Sequence, residues 1–120
     1  MSVKANVRES GSVSIVDLAG RITLGEGSGT VRSTIKNLVN SGKKNILLNL
    51  ADVTYMDSAG LGELVGSYAT VTSLGGSIKL LNAQGKVSDL LAVTKLYTVF
   101  LSFTDEAAAV ASFGAGAAGA

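Results

Sequence analysis

From Val3 to Phe113, short apolar runs of strand length alternate with stretches whose apolar residues return at every third or fourth position. Val3 to Glu9 and Val13 to Leu18 flank Ser10-Gly11-Ser12, and the alternation around Val13 and Ile15 suits a half-buried strand, so the chain is expected to open with a β-hairpin. Val31, Ile35, Leu38 and Val39 then lie on one helical face, which ends at Gly42. Asn45 to Leu50 carries Ile46-Leu47-Leu48, short enough for a buried central strand, and a polar corner follows from Ala51 to Met56. Leu61, Leu64, Val65, Tyr68 and Val71 form the stripe of a second helix that begins near Ser58 and stops at Gly75-Gly76. Ser77 to Leu81 reads as a strand, and Val87, Leu90, Leu91 and Thr94 as a third helix. Val99 to Phe103 reads as a last strand and Asp105 to Phe113 as a last helix. The order β-β-α-β-α-β-α-β-α requires crossover connections after the hairpin. It therefore predicts a single α/β domain with helices packed on a mixed, mostly parallel sheet.

A chain of 120 residues has room for one such domain, assigned here to residues 1–113. Residues 114–120, GAGAAGA, offer no core-forming side chain and are expected to be a flexible tail. Ten basic and nine acidic residues leave a net charge of +1, too little to gather nucleic acid or an anionic membrane by charge. Histidine and cysteine are both absent. That removes disulfides, Cys or His metal sites, thiol nucleophiles and imidazole bases, so neither a metal nor a cofactor is expected. The longest apolar run, Val87 to Phe103, is interrupted by Asp89 and Lys95, and the N-terminus has no signal-like apolar stretch. A cytoplasmic protein without membrane insertion is expected.

The stretch with most chemical promise is Asp52-Val53-Thr54-Tyr55-Met56-Asp57-Ser58-Ala59-Gly60-Leu61-Gly62, which leads from a buried strand into a helix. Loops at the carboxyl ends of strands carry the sites of open α/β sheets, and this one delivers the free N–H groups of a helix start. Asp57 or Ser58 can cap those donors, and capping alone would account for both residues. Gly60, Gly62 and Gly66 each cost helix stability, which either close packing on the sheet or close approach of a partner would explain. A hydrolase built on Ser58 or Ser28 would lack any histidine to activate it, and Lys36 and Lys79 read as solvated surface charges. Gly25-Glu26-Gly27-Ser28-Gly29 lacks the Gly-Lys-Ser/Thr ending of a P-loop and reads as a flexible lead-in to the first helix. Arg32, Lys36 and Glu63 fit the wet side of amphipathic helices, with Glu63 singled out because it lies one turn beyond Ser58.

Asp57-Ser58-Ala59-Gly60-Leu61-Gly62 resembles the signature segment of STAS domains, the fold shared by anti-sigma factor antagonists and the cytoplasmic parts of sulfate transporters. Gly20-Arg21-Ile22 resembles that family's turn after the second strand. Gly75-Gly76-Ser77-Ile78-Lys79-Leu80-Leu81 is similar to one of its later strands, and Asp105-Glu106-Ala107 to the start of its closing helix. The resemblance spans about Val3 to Phe113 and implies a stand-alone antagonist rather than an enzyme. It further implies that Ser58 is phosphorylated by a serine kinase, itself an anti-sigma factor with its own bound ATP, and that phosphorylation ends their association. Asp57, Ser58, Ala59, Gly60, Leu61, Gly62 and Glu63 would meet that partner, with Gly25 and Gly27 of the neighbouring loop as weaker contacts. A phosphatase is a further expected partner, and the chain is expected to be a monomer or a weak dimer. Ala59 departs from relatives that carry a second Ser or Thr there, so no alternative acceptor adjoins Ser58. The competing implication is a STAS scaffold, stressosome-like or transporter-associated, that uses the same loop for assembly without phosphorylation.

Overall fold

Five strands form one sheet whose spatial order is also their order in the chain. The structure, a computed structural model, describes residues 3–119, with side chains as far as Phe113. β1 (Lys4–Ser10) and β2 (Val13–Ile22) make the expected antiparallel hairpin around Gly11, whose φ of 60° lies in the left-handed region. β3 (Asn45–Met56), β4 (Ser77–Leu81) and β5 (Ser102–Phe103) then add in parallel, which leaves β3 in the centre. Each parallel step moves the same way across the sheet. Crossovers of one hand therefore bring α1 (Glu26–Asn40), α2 (Ser58–Ser73) and α3 (Gly85–Val93) to one face.

That face carries the larger core. Ile46, Leu48 and Leu50 alternate inward along β3 and pack with Val31 and Ile35 of α1, Leu64 and Val71 of α2, and Leu91 of α3. The intervening Leu47 points the other way and joins Ile15, Leu81, Ala109 and Phe113 in a smaller core beneath α4 (Glu106–Gly119). At the start of α4 the same face turns polar. Arg8 forks between Asp17 and Glu106, donating to Asp17 Oδ2 at 2.7 Å and to Glu106 Oε1 at 2.6 Å, and Asn49 Nδ2 donates to Asp17 Oδ1 at 2.8 Å. Among the described residues no helix is long and apolar enough to cross a membrane.

Several boundaries depart from the sequence reading. The segment from Ala51 to Met56, expected as a polar corner, is the second half of β3. Its residues pair with Ala19 to Ile22 of a β2 that runs four residues past Leu18, through two register shifts, with Val53 and Met56 buried. The expected last strand from Val99 is reduced to Ser102–Phe103. Lys95 takes a left-handed φ of 61°, Leu96–Thr98 form a 3-10 turn, and Phe100 N donates to Leu96 O at 2.9 Å, which turns the Phe100 ring into the core. The last helix begins where Asp105 Oδ2 accepts from Ala108 N at 2.8 Å, and its backbone stays helical past Phe113 to Gly119, in keeping with the helix preference of alanine. The tail expected over 114–120 otherwise concerns side chains, and Ala120 itself, outside the described residues. Lys79 is not the solvated charge expected. It is half-buried, its ammonium lies 4.5 Å from the Phe113 ring centre and donates to Ser112 Oγ at 2.9 Å, and desolvation lowers its pKa.

Candidate functional site

β2 and β3 continue side by side past the point where β4 stops, ending at Ile22 and Met56. The two chains diverge there, one into the Thr23-Leu24-Gly25 loop and α1, the other through Asp57 into α2. Asp57 has an extended backbone (φ −101°, ψ −175°) and is the N-cap of α2. Its Oδ1 accepts from Gly60 N at 2.9 Å, satisfying one of the donors a helix start leaves open. Its Oδ2 accepts from Leu24 N at 3.1 Å, across 33 positions of sequence, while Asp57 N donates to Ile22 O at 3.3 Å. One side chain thus joins the α2 start to the β2–α1 loop. The N–H groups of Gly60 and then Leu24 hold the Asp57 carboxyl below the usual aspartate range.

With the cap supplied by Asp57, Ser58 is free of that duty. It is the first residue of α2 and is exposed, its hydroxyl at the positive end of the helix. The surrounding residues sort by burial. Ala59 is half-buried and Gly62 exposed, with nothing within 4 Å of where a Gly62 Cβ would stand. Gly60 and Leu61 face inward, and a Cβ on Gly60 would stand 2.1 Å from Ile22 O. Packing therefore accounts for Gly60, while Gly62 and Gly66 are left open to approach. On the adjoining loop Gly25 takes φ 98° and ψ −120°, a conformation suited to glycine, and is exposed. Gly27 is buried, with a Cβ position 2.6 Å from Arg21 O. Ser58, Gly62 and Gly25 thus lie at the surface with Ala59 half-buried between them, and Gly60, Leu61 and Gly27 support them from beneath.

Glu63 accepts from Arg32 Nη2 at 2.8 Å, bracing α2 against α1. Its side chain is only 12% exposed, so its charge is largely committed to that pair and not displayed. Arg32 and Lys36 are exposed, as expected of a wet helix side. Ser28 is buried and donates to Gly25 O at 3.3 Å, a turn contact rather than a nucleophile's setting. Among the described residues no group of three or more Asp or Glu is placed to hold a metal. The sequence reading passed over Leu24, which the Asp57 tether holds beside the α2 start with 79% of its surface exposed. A leucine outside every periodic stripe, next to a glycine loop, was the signal available for it.

The STAS domain family model matches residues 4–109, from the first strand to the last described helix. The anti-sigma-B factor antagonist of Bacillus subtilis is 32% identical over 96 residues, covering 80% of this chain and 86% of that protein. An anti-sigma factor antagonist from Mycobacterium paratuberculosis superposes with a TM-score of 0.83 at 18% identity, covering 92% of this chain and 93% of the other. The Bacillus cell fate determinant SpoIIAA in its phosphorylated form superposes with a TM-score of 0.68 at 20% identity, over 88% of this chain and 96% of the other. The hairpin, the central β3, the three helices on one face and the Asp57-Ser58 helix start all fall within the matched span, and the chain belongs to the STAS domain family.

Proposed function

We propose that this chain is an anti-sigma factor antagonist, a regulatory binding protein rather than an enzyme, whose association with an anti-sigma serine kinase is ended by phosphorylation of Ser58. The observation that carries the reading is the setting of Ser58. It is an exposed hydroxyl on the first turn of α2, relieved of capping by Asp57, in a chain 32% identical to an anti-sigma-B factor antagonist. The solved phosphorylated form of SpoIIAA supports it as a likeness of fold.

The chemistry assigned to each partner is separate. The kinase holds Mg-ATP. Ser58 Oγ attacks the γ-phosphorus, its proton passes to a base of the kinase, and ADP leaves with the electrons of the broken P–O bond. A phosphoserine carries about −1.5 to −2 charges at neutral pH, and the positive end of α2 can hold it without unfolding. At a docked interface the same charge stands beside the Asp57 carboxylate and has to be stripped of water. A desolvated, unpaired charge costs about 3–5 kcal/mol, on the order of a hundredfold to several thousandfold in affinity. The kinase is then released to hold its sigma factor until a phosphatase hydrolyses the ester and restores the serine. The reading places the chain in the cytoplasm as a monomer or a weak dimer.

The test is to incubate the purified chain with anti-sigma serine kinases of the same organism and Mg-ATP, following intact mass and mapping phosphate by peptide fragmentation. One phosphate on Ser58, with release of the kinase, is the expected result. Ser58→Ala should bind without being modified, and Ser58→Asp should bind more weakly by tenfold or more, as a rough estimate from the charge argument. Equal affinity of the two variants for the kinase would refute the switch.

A further inference from the structure

The Thr23-Leu24-Gly25 loop is constrained at every residue around it. Leu24 N donates to Asp57 Oδ2 at 3.1 Å, and Ser28 N donates to Thr23 O at 2.9 Å. Gly25 holds a glycine conformation at φ 98°, and Gly27 is wedged with a Cβ position 2.6 Å from Arg21 O. A backbone held in this way has little freedom, yet the side chain it presents is a leucine 79% exposed. A single exposed leucine is ordinary on a protein surface. This one is fixed to the residue that precedes Ser58, and the surface it joins is unusual. Ser58, Gly62, Val65 and Ala69 recur at the spacing of one helix face, and all four are exposed and uncharged. The one charged residue of α2, Glu63, is turned aside to Arg32. A helix side that faced only solvent would ordinarily be charged.

Phosphoryl transfer requires the nucleotide to come within about 3–3.5 Å of the Ser58 hydroxyl, so the kinase must cover whatever lies beside that residue. We infer that Leu24 is the apolar anchor by which the kinase seats on this chain, inserted into an apolar pocket beside the nucleotide site. Asp57 is the positioning residue that holds Leu24 there. The inference rests on the kinase-partner reading above. A second copy of the chain has no comparable reason to approach Ser58, and self-association through Leu24 is the rival outcome.

The experiment measures phosphorylation kinetics of the full chain with the same kinases and Mg-ATP. Leu24→Ser should raise KM by about tenfold or more with little change in kcat, since an anchor contributes to docking and not to the transfer. Leu24→Met should stay near wild type. In Asp57→Asn a carboxamide offers one acceptor oxygen to the two N–H groups that Asp57 serves, and asparagine is as good a helix cap as aspartate. That variant should raise KM severalfold on its own and have no further effect in the Leu24→Ser background, because the two residues act as one unit. An unchanged KM for Leu24→Ser, or an effect of Leu24→Ser on sedimentation in place of KM, overturns the anchor. Additive effects of the two changes overturn the positioning role of Asp57. If no kinase binds or modifies the wild-type chain, the partner reading fails and the anchor falls with it. If wild type is modified and Leu24→Ser is modified equally well, the anchor fails alone.

Discussion

Gly60 and Gly62 stand two residues apart in α2, and the structure assigns opposite signs to the same substitution at each. In an exposed helix interior, alanine is more favourable than glycine by about 0.5–1 kcal/mol. At Gly62 nothing lies within 4 Å of the new Cβ, so Gly62→Ala should keep that gain. At Gly60 the Cβ would stand 2.1 Å from Ile22 O and 2.9 Å from Met56 Cγ. The carbonyl belongs to β2 and cannot rotate aside as a side chain would. Ordinary contact requires the α2 start to retreat by roughly 1 Å, which stretches the Asp57 N to Ile22 O bond of 3.3 Å and the Leu24 N to Asp57 Oδ2 bond of 3.1 Å. Overpacking of this kind costs about 1–3 kcal/mol, and the loosened bonds add to it. After subtracting the helix gain, Gly60→Ala should be destabilised by about 2 kcal/mol, or roughly 8 °C in Tm for a chain of this size. Urea unfolding followed by circular dichroism measures both variants against wild type. Equal or greater stability of Gly60→Ala would show that the β2–α2 junction yields, and the packing account of that glycine would be wrong.

The remaining expectations concern the other face, the acid response and the tail. Arg8 depresses the carboxyl pKa values of Asp17 and Glu106 by hydrogen bonding, so both contribute stability that is present above their unfolded values of about 3.9–4.3 and is lost as pH falls through the folded ones. Arg8→Met should therefore lose less stability than wild type between about pH 5 and pH 3, by a modest amount because the pairs are partly exposed; equal slopes would clear Arg8 of this role. Phe113→Ala empties the centre of the smaller core beside Leu47 and Ile15 and should cost about 3 kcal/mol in urea unfolding, whereas a loss under about 1 kcal/mol would mean α4 is not anchored there. Truncation after Phe113 should leave the unfolding free energy within about 0.5 kcal/mol of the full chain if the domain ends where proposed, and a larger drop would extend the domain into 114–120.

Local signals carried much of this molecule. β4 is read from the sequence to the residue, because Gly75-Gly76 and Asn82 bound a short apolar run, and the start of α2 is plain from an Asp-Ser pair ahead of the stripe Leu61, Leu64, Tyr68, Val71. The hairpin and the central place of β3 follow from alternation and from the burial of Ile46-Leu47-Leu48 on both sides. Where the reading failed, the deciding contacts were distant or made by backbone. Asp52 and Thr54 look like loop residues, yet sheet pairing is made by N–H and C=O groups that every residue carries, and the neighbour that recruits them is β2. Val99 to Phe103 has strand-like side chains, but the 3-10 turn at Leu96–Thr98 carries the Phe100 ring into the core and leaves only Ser102–Phe103 as strand.

The candidate site divides along the same line. Periodicity, glycine and the Asp-Ser helix start act within a few residues, and so the order of elements, the class of fold and the position of Ser58 at a helix start are written in the sequence by itself. Which face each helix covers, why Gly60 and Gly62 differ, that the second oxygen of Asp57 belongs to Leu24, and that Arg8 reaches Glu106 across 98 positions are consequences of chain segments meeting in space. Only the tertiary structure decides these, because a hydrogen bond or a steric clash depends on distance in space, to which separation along the chain is no guide.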